Sequence, residues 1–287
     1  MKLSVVIPCY NAEDTLAEQL DALSGQRWSQ PWEVLLVDNR STDRSLEIAE
    51  GFRGRVPNLR IVDASDRQGQ PFALNAGAEA AQGASLAFCD ADDVVGDGWV
   101  AAIGDALDEH DFVACRWDVT RLNTIVVQRS RGNAQVNGLQ PYTNPAFLSH
   151  AGGGTLGVKR ALHLDVGGFD ETLPVLHDTD YCWRLQLRGV ELHFVPDAVI
   201  HVRYRDTLRG VYHQSRSYGA YNVLLYKRYR DRGMPAIDWR RGLEGWIDVL
   251  KGTVFLYRPS ARWTWARRLG WSVGRLEGCL KHRVFAP

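Results

Sequence analysis

Short apolar runs alternate with segments of helical spacing in the first part of the chain. Four runs have the length and composition of buried strands, at residues 4–7, 33–37, 59–62 and 85–89. Candidate helices lie between them: Leu16, Leu20 and Leu23 after the candidate cap Asn11, Leu46 and Ile48 after the candidate caps Ser41 and Thr42, and residues 72–81. This alternation predicts an α/β fold with a mostly parallel sheet covered on both faces.

The pattern becomes mixed after residue 110. It predicts a strand at 111–119, a polar loop at 126–142, a glycine turn at 152–155 followed by another strand, a helix at 178–188, and strands at 191–195 and 198–203. Beyond Thr207 the sequence is helical and basic.

Three carboxylates directly follow the fourth strand. Asp90 and Asp92 are alternate residues, which would project from one face of a continued strand, and Asp93 follows in the turn. Oxygen ligands clustered at a strand end suit Mg²⁺ or Mn²⁺, which are useful where phosphate oxygens must be neutralised. A solvated acidic turn is the alternative interpretation of this short motif.

Composition indicates a globular protein with two differently charged parts. The 287 residues are 45% hydrophobic and 24% charged, and the net charge is zero. However, residues 1–202 carry 16 Lys and Arg against 28 Asp and Glu, whereas residues 203–287 carry 18 against 6 and five of the ten tryptophans. A basic, tryptophan-rich tail predicts an anionic partner.

Cysteine spacing and hydropathy indicate the compartment. The five cysteines are scattered without metal-finger or redox spacing, so we expect reduced thiols in a cytoplasmic protein. The N-terminal apolar run is too short for a signal peptide, and no stretch approaches the ~18 apolar residues of a membrane span.

The sequence lacks the signatures of three common nucleotide folds. The loop after the first strand reads Pro8-Cys9-Tyr10-Asn11 and lacks the glycines of a dinucleotide-binding dehydrogenase; the Gly-Lys-Ser/Thr of a P-loop is also absent. The glycine-rich, basic loop usual in sugar nucleotidylyltransferases is missing too.

Several ordered motifs are instead similar to one enzyme family. They are Val5 to Asn11, Glu33 to Asp43, Asp66-Arg67-Gln68, Asn75 with Gly77, Asp90-Ala91-Asp92, Gly152-Gly153-Gly154, Gly167 to Glu171, and His177-Asp178-Thr179-Asp180 with Arg184 and Gly189. Over residues 3–205 the chain resembles the inverting glycosyltransferase family 2, which implies a GT-A fold.

The resemblance implies a role for individual residues. Asp178 is the expected catalytic base, which takes the proton of the acceptor hydroxyl. Asp92 and His201 are the expected ligands of Mn²⁺ or Mg²⁺, which would stabilise the leaving diphosphate. Asp38 is expected to accept a hydrogen bond from the base, Tyr10 to pack against it, and Asp90 to lie near the ribose and the metal. The remaining expected nucleotide contacts are Pro8, Asn11, Asp66, Arg203 and Arg205, and the expected sugar contacts are Gly153, Gly154, His177 and Asp180.

One position departs from the family pattern. His177 stands where the family has glutamate, and a charged histidine there would depress the pKa of the neighbouring carboxylate. Asp178 as a mere helix cap, Asp180 as a structural carboxylate, and Arg203 and Arg205 as a solvated basic edge are the alternatives.

The tail has a second apolar pattern. Trp265, Leu269, Val273, Leu276 and Leu280 recur at helical spacing. We favour a stripe packed on protein, either the catalytic core or a second subunit in a homo-oligomer. A helix lying on anionic lipid at the inner face of the cell membrane is the alternative, and loose nucleic-acid binding is a weaker third, because no specific reading module is present.

The expected organisation is therefore a GT-A catalytic domain at 1–205 and a basic helical C-terminal extension at 206–287. The nucleotide-binding half is expected at 1–93 and the acceptor half at 94–205. The expected reaction is metal-dependent, inverting transfer from a nucleotide-sugar, UDP-sugar by default, to a glycan or lipid-linked glycan in cell-envelope polysaccharide synthesis. The alternatives are a metal-dependent nucleotidyl or phosphoryl transferase and a non-catalytic nucleotide-sugar-binding protein.

Overall fold

The computed structural model describes residues 1–131, 134–143 and 145–287. The strands are β1 (Leu3–Cys9), β2 (Trp32–Asp38), β3 (Leu59–Asp63), β4 (Ser85–Phe88), β5 (Val94–Val95), β6 (Phe112–Asp118), β7 (Gln140–Thr143), β8 (Ala146–His150), β9 (Leu156–Lys159) and β10 (His193–His201). The α-helices are α1 (Leu16–Ser24), α2 (Ser45–Gly51), α3 (Gln70–Ala80), α4 (Trp99–Glu109), α5 (Ile125–Arg131), α6 (Arg160–Asp165), α7 (His177–Gln186), α8 (Leu208–Tyr229), α9 (Trp239–Thr253) and α10 (Pro259–His282).

The described residues form two compact units. The first consists of residues 1–118, 134–140 and 150–203. The second consists of residues 204–287 together with the described parts of 119–133 and 141–149. The division of roles between residues 1–93 and 94–205 stays a prediction.

The first unit is built on one mixed sheet. Among the described residues its strand order is β3-β2-β1-β4-β9-β6-β10-β5. Neighbours in the β3-β2-β1-β4 part are parallel, as are β6 and β10, whereas β9 runs antiparallel to β4 and β6. The four apolar runs of the N-terminal part form the parallel strands as predicted, because β1, β2 and β4 are almost wholly buried.

Close packing of α3 explains one glycine of the sequence pattern. A Cβ at Gly77 would lie 2.4 Å from a methyl carbon of Val6 and 2.8 Å from one of Val37. Only glycine therefore lets α3 approach β1 and β2 this closely. The same core contains Phe88 and Phe169, whose rings meet edge to face at 5.2 Å.

Local capping predictions were wrong at two helices. α1 begins at Leu16, and Asn11 lies outside it in a left-handed conformation with a φ of 48°. α2 begins at Ser45, beyond the candidate caps Ser41 and Thr42. In both cases the polar side chains bind another loop instead of a helix end, so a tertiary contact overrides the local pattern.

Two other predictions were wrong in the second half. The segment predicted as a loop at 126–142 contains all of α5 except its first residue and the start of β7, and its residues 132 and 133 lie outside the described residues. The two strands predicted at 191–195 and 198–203 are one strand, β10, with an irregularity between Val195 and Val199. A bulge interrupts the alternation of side chains, so one strand is easily taken for two.

Glycines allow close packing of α8 against α10 in the second unit. A Cβ at Gly274 would lie 1.9 Å from the carbonyl oxygen of Arg216, and one at Gly270 would lie 2.4 Å from the carbonyl oxygen of Tyr212. Gly278 and Gly219 make similar approaches. The helix backbones meet along this glycine row.

The apolar stripe of the tail is not the packed face of α10. Ala266, Gly270, Gly274 and Gly278 are buried, whereas Leu276 and Leu280 are exposed. These two leucines are therefore not packed within this chain, and packing of the stripe on a second subunit stays a prediction. Within the described residues, no helix is long and apolar enough to span a bilayer.

Candidate functional site

The carboxyl ends of four parallel strands meet at one edge of the sheet. Cys9 pairs with Asp38, and Asp38 pairs with Asp63, so the loops after β1, β2 and β3 begin side by side. β4 pairs with β1 and ends at Phe88, two residues before Asp90. Ligands of open parallel sheets bind at such an edge.

The loop after β1 is fastened to the loop after β2. The Asn11 side-chain oxygen accepts a hydrogen bond from the Thr42 amide at 2.8 Å, and the Ser41 hydroxyl accepts one from the Asn11 amide at 3.1 Å. Tyr10, between Pro8 and Asn11 on the expected nucleotide loop, remains 52% exposed. Its ring is therefore accessible to a flat ligand.

The β2 end organises the loop that contains Asp66. Asp38 is buried and accepts a hydrogen bond from the Ser41 amide at 3.3 Å. Asn39 donates to the carbonyl oxygens of Ala64 and Arg67, both at 2.6 Å. Asp66 is exposed on this loop, and its carbonyl accepts a hydrogen bond from Arg40 at 2.6 Å.

Asp90, Asp92 and Asp93 converge as the sequence predicts. Their carboxylate oxygens lie within 4.8 Å of one another. Asp93 is buried and accepts a hydrogen bond from the Arg203 amide at 2.8 Å. Burial raises the pKa of Asp93 well above its ordinary value, and the charges of Asp90 and Asp92 add to this increase. A divalent cation would relieve that repulsion, so the donor set fits Mg²⁺ or Mn²⁺.

A buried glutamine holds the acidic segment from α1. The Gln19 side-chain amide donates to the Asp90 carbonyl oxygen and accepts from the Val95 amide, both at 3.0 Å. Thr15 donates to the Ala91 carbonyl oxygen at 3.1 Å. Sequence analysis missed Gln19, because a buried polar residue on an otherwise apolar helix face has no local signature of what it binds.

Two of the expected site residues, Arg203 and His201, already have partners in the structure. The Arg203 guanidinium donates to the Asp92 carbonyl oxygen at 2.9 Å and to Glu18 at 2.6 Å. His201 Nδ1 lies 2.6 Å from an Asp118 carboxylate oxygen, an arrangement that orients many metal-binding histidines. Arg203 as a diphosphate clamp and His201 as a ligand stay predictions. Arg205 is exposed in the second unit, and its role also stays a prediction.

A short 3-10 helix, Gly153–Thr155, joins the expected base to the acidic segment. The Gly153 amide donates to Asp178 Oδ2 at 3.0 Å. The next residue, Gly154, lies so close to Asp90 that an added Cβ would be 2.8 Å from Asp90 Oδ2. Adjacent residues of one turn therefore contact Asp178 and Asp90, and we call Gly152–Thr155 the bridging turn.

The bridging turn is itself held by Gln135, a second residue that sequence analysis missed. Its side-chain amide donates to the Cys115 carbonyl oxygen at 2.7 Å and to the Thr155 hydroxyl at 2.9 Å. Its oxygen accepts from the Gly152 amide at 3.0 Å and from Gln140 at 2.9 Å. All four hydrogen-bonding positions of this buried amide are used. A polar residue in a predicted loop gave no signal of this role.

Buried histidines, not charged ones, flank Asp178. Burial lowers the pKa of His177, and the negative charges of Asp178 and Asp180 oppose that change. His150, also missed from the sequence, has its pKa lowered by burial in the same way, opposed by Asp178. A neutral His177 does not supply the positive charge that would depress the carboxylate pKa.

Asp180 has a clear structural partner. It is buried and forms an ion pair with Arg184 at 2.7 Å, and Arg184 also donates to the Val166 and Gly168 carbonyl oxygens at 3.0 and 2.7 Å. This network fixes the turn at Gly167, whose φ is 80°. The expected contact of Asp180 with a sugar stays a prediction.

Comparisons with known sequences identify a family. The model of the glycosyl transferase family 2 matches residues 4–162. The chain is 37% identical over 98 residues to a poly(ribitol-phosphate) beta-glucosyltransferase of Bacillus spizizenii, which covers 33% of this chain and 16% of the relative. It is 26% identical over 261 residues to the pre-mycofactocin glycosyltransferase of Mycobacterium tuberculosis, which covers 88% of this chain and 53% of the relative. The chain thus spans about half the length, or less, of these curated relatives.

Solved structures show the same fold. The mannosyltransferase PcManGT from Pyrobaculum calidifontis, in complex with GDP-Man and Mn²⁺, superposes with a TM-score of 0.69 at 16% identity over 98% of this chain and 87% of its own. S. aureus TarS 1–349, in complex with UDP, gives 0.55 at 17% identity over 100% and 93%. The predicted GT-A fold with C-terminal helices is confirmed. Since the family model matches more than half of its residues, the chain belongs to glycosyl transferase family 2.

Proposed function

We propose that this protein is a metal-dependent, inverting glycosyltransferase that moves a sugar from a nucleotide-sugar to a hydroxyl acceptor. One observation carries the proposal: the bridging turn contacts Asp178 with one residue and Asp90 with the next. The proposed base for the acceptor and the proposed carboxylate cluster for the diphosphate would therefore lie on two sides of one short segment. A direct displacement needs this separation of roles.

The donor would bind at the carboxyl ends of β1, β2 and β4. Tyr10 offers an exposed ring to the nucleobase, Asp38 offers a carboxylate acceptor, and the loop that carries Asp66 borders them. Asp90 would face the ribose and, with Asp92 and the His201 side chain, hold Mn²⁺ or Mg²⁺. When bound, the cation would act as a Lewis acid that stabilises negative charge on the departing diphosphate.

Asp178 would act as the base. It would accept the proton of the acceptor hydroxyl while that oxygen forms a bond to the anomeric carbon, as the bond from this carbon to the phosphate oxygen breaks. The nucleoside diphosphate would leave from the opposite face, with inversion. The Gly153 amide would hold Oδ2 of Asp178 in position, and burial lowers the pKa of the adjacent His177, so this histidine would add no positive charge beside the base.

We propose a UDP-sugar as the donor and a glycan or lipid-linked glycan as the acceptor, in cell-envelope polysaccharide synthesis. Solved TarS structures contain UDP or UDP-GlcNAc, and one curated relative is named for a poly(ribitol-phosphate) acceptor. The GDP-Man in the PcManGT structure makes GDP-sugars the first alternative to test. Homo-oligomerisation stays a prediction.

A donor screen with product analysis tests this proposal. The protein would be incubated with Mn²⁺, candidate acceptors and UDP-, GDP- and dTDP-sugars, and released nucleoside diphosphate would be separated from pyrophosphate. We expect nucleoside diphosphate and a product of inverted anomeric configuration. Asp178→Asn should reduce turnover by about 100- to 10,000-fold while nucleotide binding persists. Release of pyrophosphate would indicate a nucleotidyl transferase, and binding without turnover on any acceptor would indicate a non-catalytic binding protein.

A further inference from the structure

The helix α9 of the second unit has an unusually exposed apolar face. Trp239, Leu243, Ile247 and Leu250 of α9, and Val254 directly after its last residue, are each 40–71% exposed. At 100° per residue, these five positions fall within one arc of about 80°. We call them the α9 apolar face. They form a continuous row and are not scattered surface residues, which are common on any protein.

The opposite side of α9 is fixed by packing, so this exposure is not a sign of a loose helix. Val249 is buried, and its carbonyl oxygen accepts a hydrogen bond from Trp265 Nε1 at 3.1 Å. A Cβ at Gly252 would lie 3.0 Å from the same indole ring. The α9 apolar face is therefore held outward by contacts within the second unit.

Cationic side chains border the α9 apolar face. At 100° per residue, Arg240 and Lys251 occupy the next two positions along one edge of this face. The exposed apolar surface continues after the helix through Phe255 and Tyr257, and the Arg258 guanidinium lies 5.7 and 5.2 Å from their ring centroids. Both patterns are typical of a membrane interface, where aliphatic side chains insert and cationic groups reach the phosphates.

The same unit also contains a groove. It has a volume of about 390 Å³ and is lined by Leu208, Arg209, Tyr212, Leu256, Arg262, Trp265 and Ala266. Its walls are apolar carbon together with two arginine side chains. Residues 204–287, which form most of this unit, carry 17 Lys and Arg against 6 Asp and Glu, so this part of the chain is complementary to an anionic surface.

We propose that α9 lies in the plane of an anionic phospholipid bilayer, with its apolar face inserted at the boundary between headgroups and acyl chains. The occupant is a lipid surface and not a second protein, because a row of apolar residues bordered by cationic side chains matches acyl chains beneath phosphate groups. This inference does not depend on the proposed reaction, since it concerns binding alone.

Vesicle sedimentation with the full chain tests the inference. Vesicles of phosphatidylcholine alone would be compared with vesicles that also contain phosphatidylglycerol. We expect binding to the anionic vesicles that weakens with added salt. Leu250→Glu should reduce that binding by about tenfold or more, because an apolar contact is replaced by a charge repelled by the lipid. Lys251→Glu should reduce it by a smaller factor.

Leu164→Glu is the matched control. Leu164 is also an exposed leucine, but it belongs to the first unit, so its replacement should leave vesicle binding unchanged. Binding equal for both vesicle types, wild-type binding by Leu250→Glu, or no binding by the wild type would overturn the inference. A wild-type dimer that Leu250→Glu dissociates, without vesicle binding, would show instead that the face joins two copies. No outcome requires donor turnover, so failure of the proposed reaction is measured separately.

Discussion

Adding one methyl group to the bridging turn should show whether nucleotide binding depends on the close approach of this turn to Asp90, because the substitution changes no functional group. In Gly154→Ala the new Cβ would lie 2.8 Å from Asp90 Oδ2, 2.9 Å from Cγ and 3.2 Å from the Asp90 backbone nitrogen. The shortest of these is about 0.6 Å inside the 3.4 Å at which ordinary contact begins. The turn or the Asp90 carboxylate must move, and the backbone nitrogen limits how far the carboxylate alone can relieve the clash.

The neighbouring glycine supplies a control at the same turn. In Gly153→Ala the new Cβ would have its nearest contact at 3.5 Å, to Asp178 Cβ, which is ordinary van der Waals distance. The backbone amide that binds Asp178 is retained. Neither residue has a positive φ, so alanine is not strained by backbone conformation at either position.

Overpacking of this kind costs about 1–3 kcal/mol. If that cost falls on the arrangement of Asp90, Mn²⁺-dependent nucleotide binding should weaken by about 10- to 100-fold in Gly154→Ala. In Gly153→Ala it should change by less than about threefold. The assay is calorimetric titration of nucleoside diphosphate with Mn²⁺, with melting temperatures measured in parallel. Equal affinities for the two variants would refute the placement of Asp90 beside the bridging turn.

Three further predictions concern stability and positioning. Gly274→Ala places a Cβ 1.9 Å from the Arg216 carbonyl oxygen and should lower the free energy of unfolding by about 3 kcal/mol or more. Gly245→Ala in α9, where the nearest contact of the new Cβ is 3.6 Å, should instead raise it by about 0.5–1 kcal/mol, and denaturant unfolding compares the two variants. Burial lowers the pKa of His163 to about 4, so the unfolded chain takes up the proton first as the pH falls. The free energy of unfolding should therefore decrease as the pH falls from about 6.5 towards 4. A His163→Gln variant should show a weaker dependence of stability on pH, and an unchanged dependence would contradict this role of His163. Gln135→Leu leaves several buried polar groups without partners and should lower the free energy of unfolding by about 3 kcal/mol. It should also lower kcat by a larger factor than it raises KM, and a change confined to KM would exclude a role of Gln135 in positioning the bridging turn.

Periodicity predicted most of the sheet because burial on both faces requires long apolar runs. β1, β2 and β3 lie where the sequence places them, and the cluster of Asp90, Asp92 and Asp93 follows β4 as expected. These features depend on neighbours in sequence. Local rules are therefore sufficient for them.

The wrong predictions arise where distant residues decide. Asn11 reads as a helix cap, but Thr42 supplies a better partner from another loop. Leu276 and Leu280 are exposed within this chain, because glycines on another face of α10 let α8 approach more closely. Burial of one helix face depends on the partner's shape, which a hydrophobic pattern does not contain.

Hydrogen-bonding residues behind the site were invisible for a related reason. Gln19 and Gln135 are fully buried, and each binds backbone groups of segments far away in sequence. Glutamine is common on surfaces, so neither composition nor spacing separates these two from solvated residues. The site carboxylates were recognisable from the sequence because the expected reaction requires carboxylates. The glutamine amides that hold the acidic segment and the bridging turn are recognisable only from the fold.

The central claim is that Asp92 and its neighbours bind a nucleoside diphosphate through a divalent cation. Calorimetric titration of UDP, GDP and dTDP into wild type and Asp92→Ala, with and without Mn²⁺, tests it most directly. The account predicts that one nucleotide binds the wild type only when Mn²⁺ is present, and that Asp92→Ala loses this binding while its melting temperature is retained. Binding of the same nucleotide with equal affinity to both proteins, or independently of Mn²⁺, would contradict the claim.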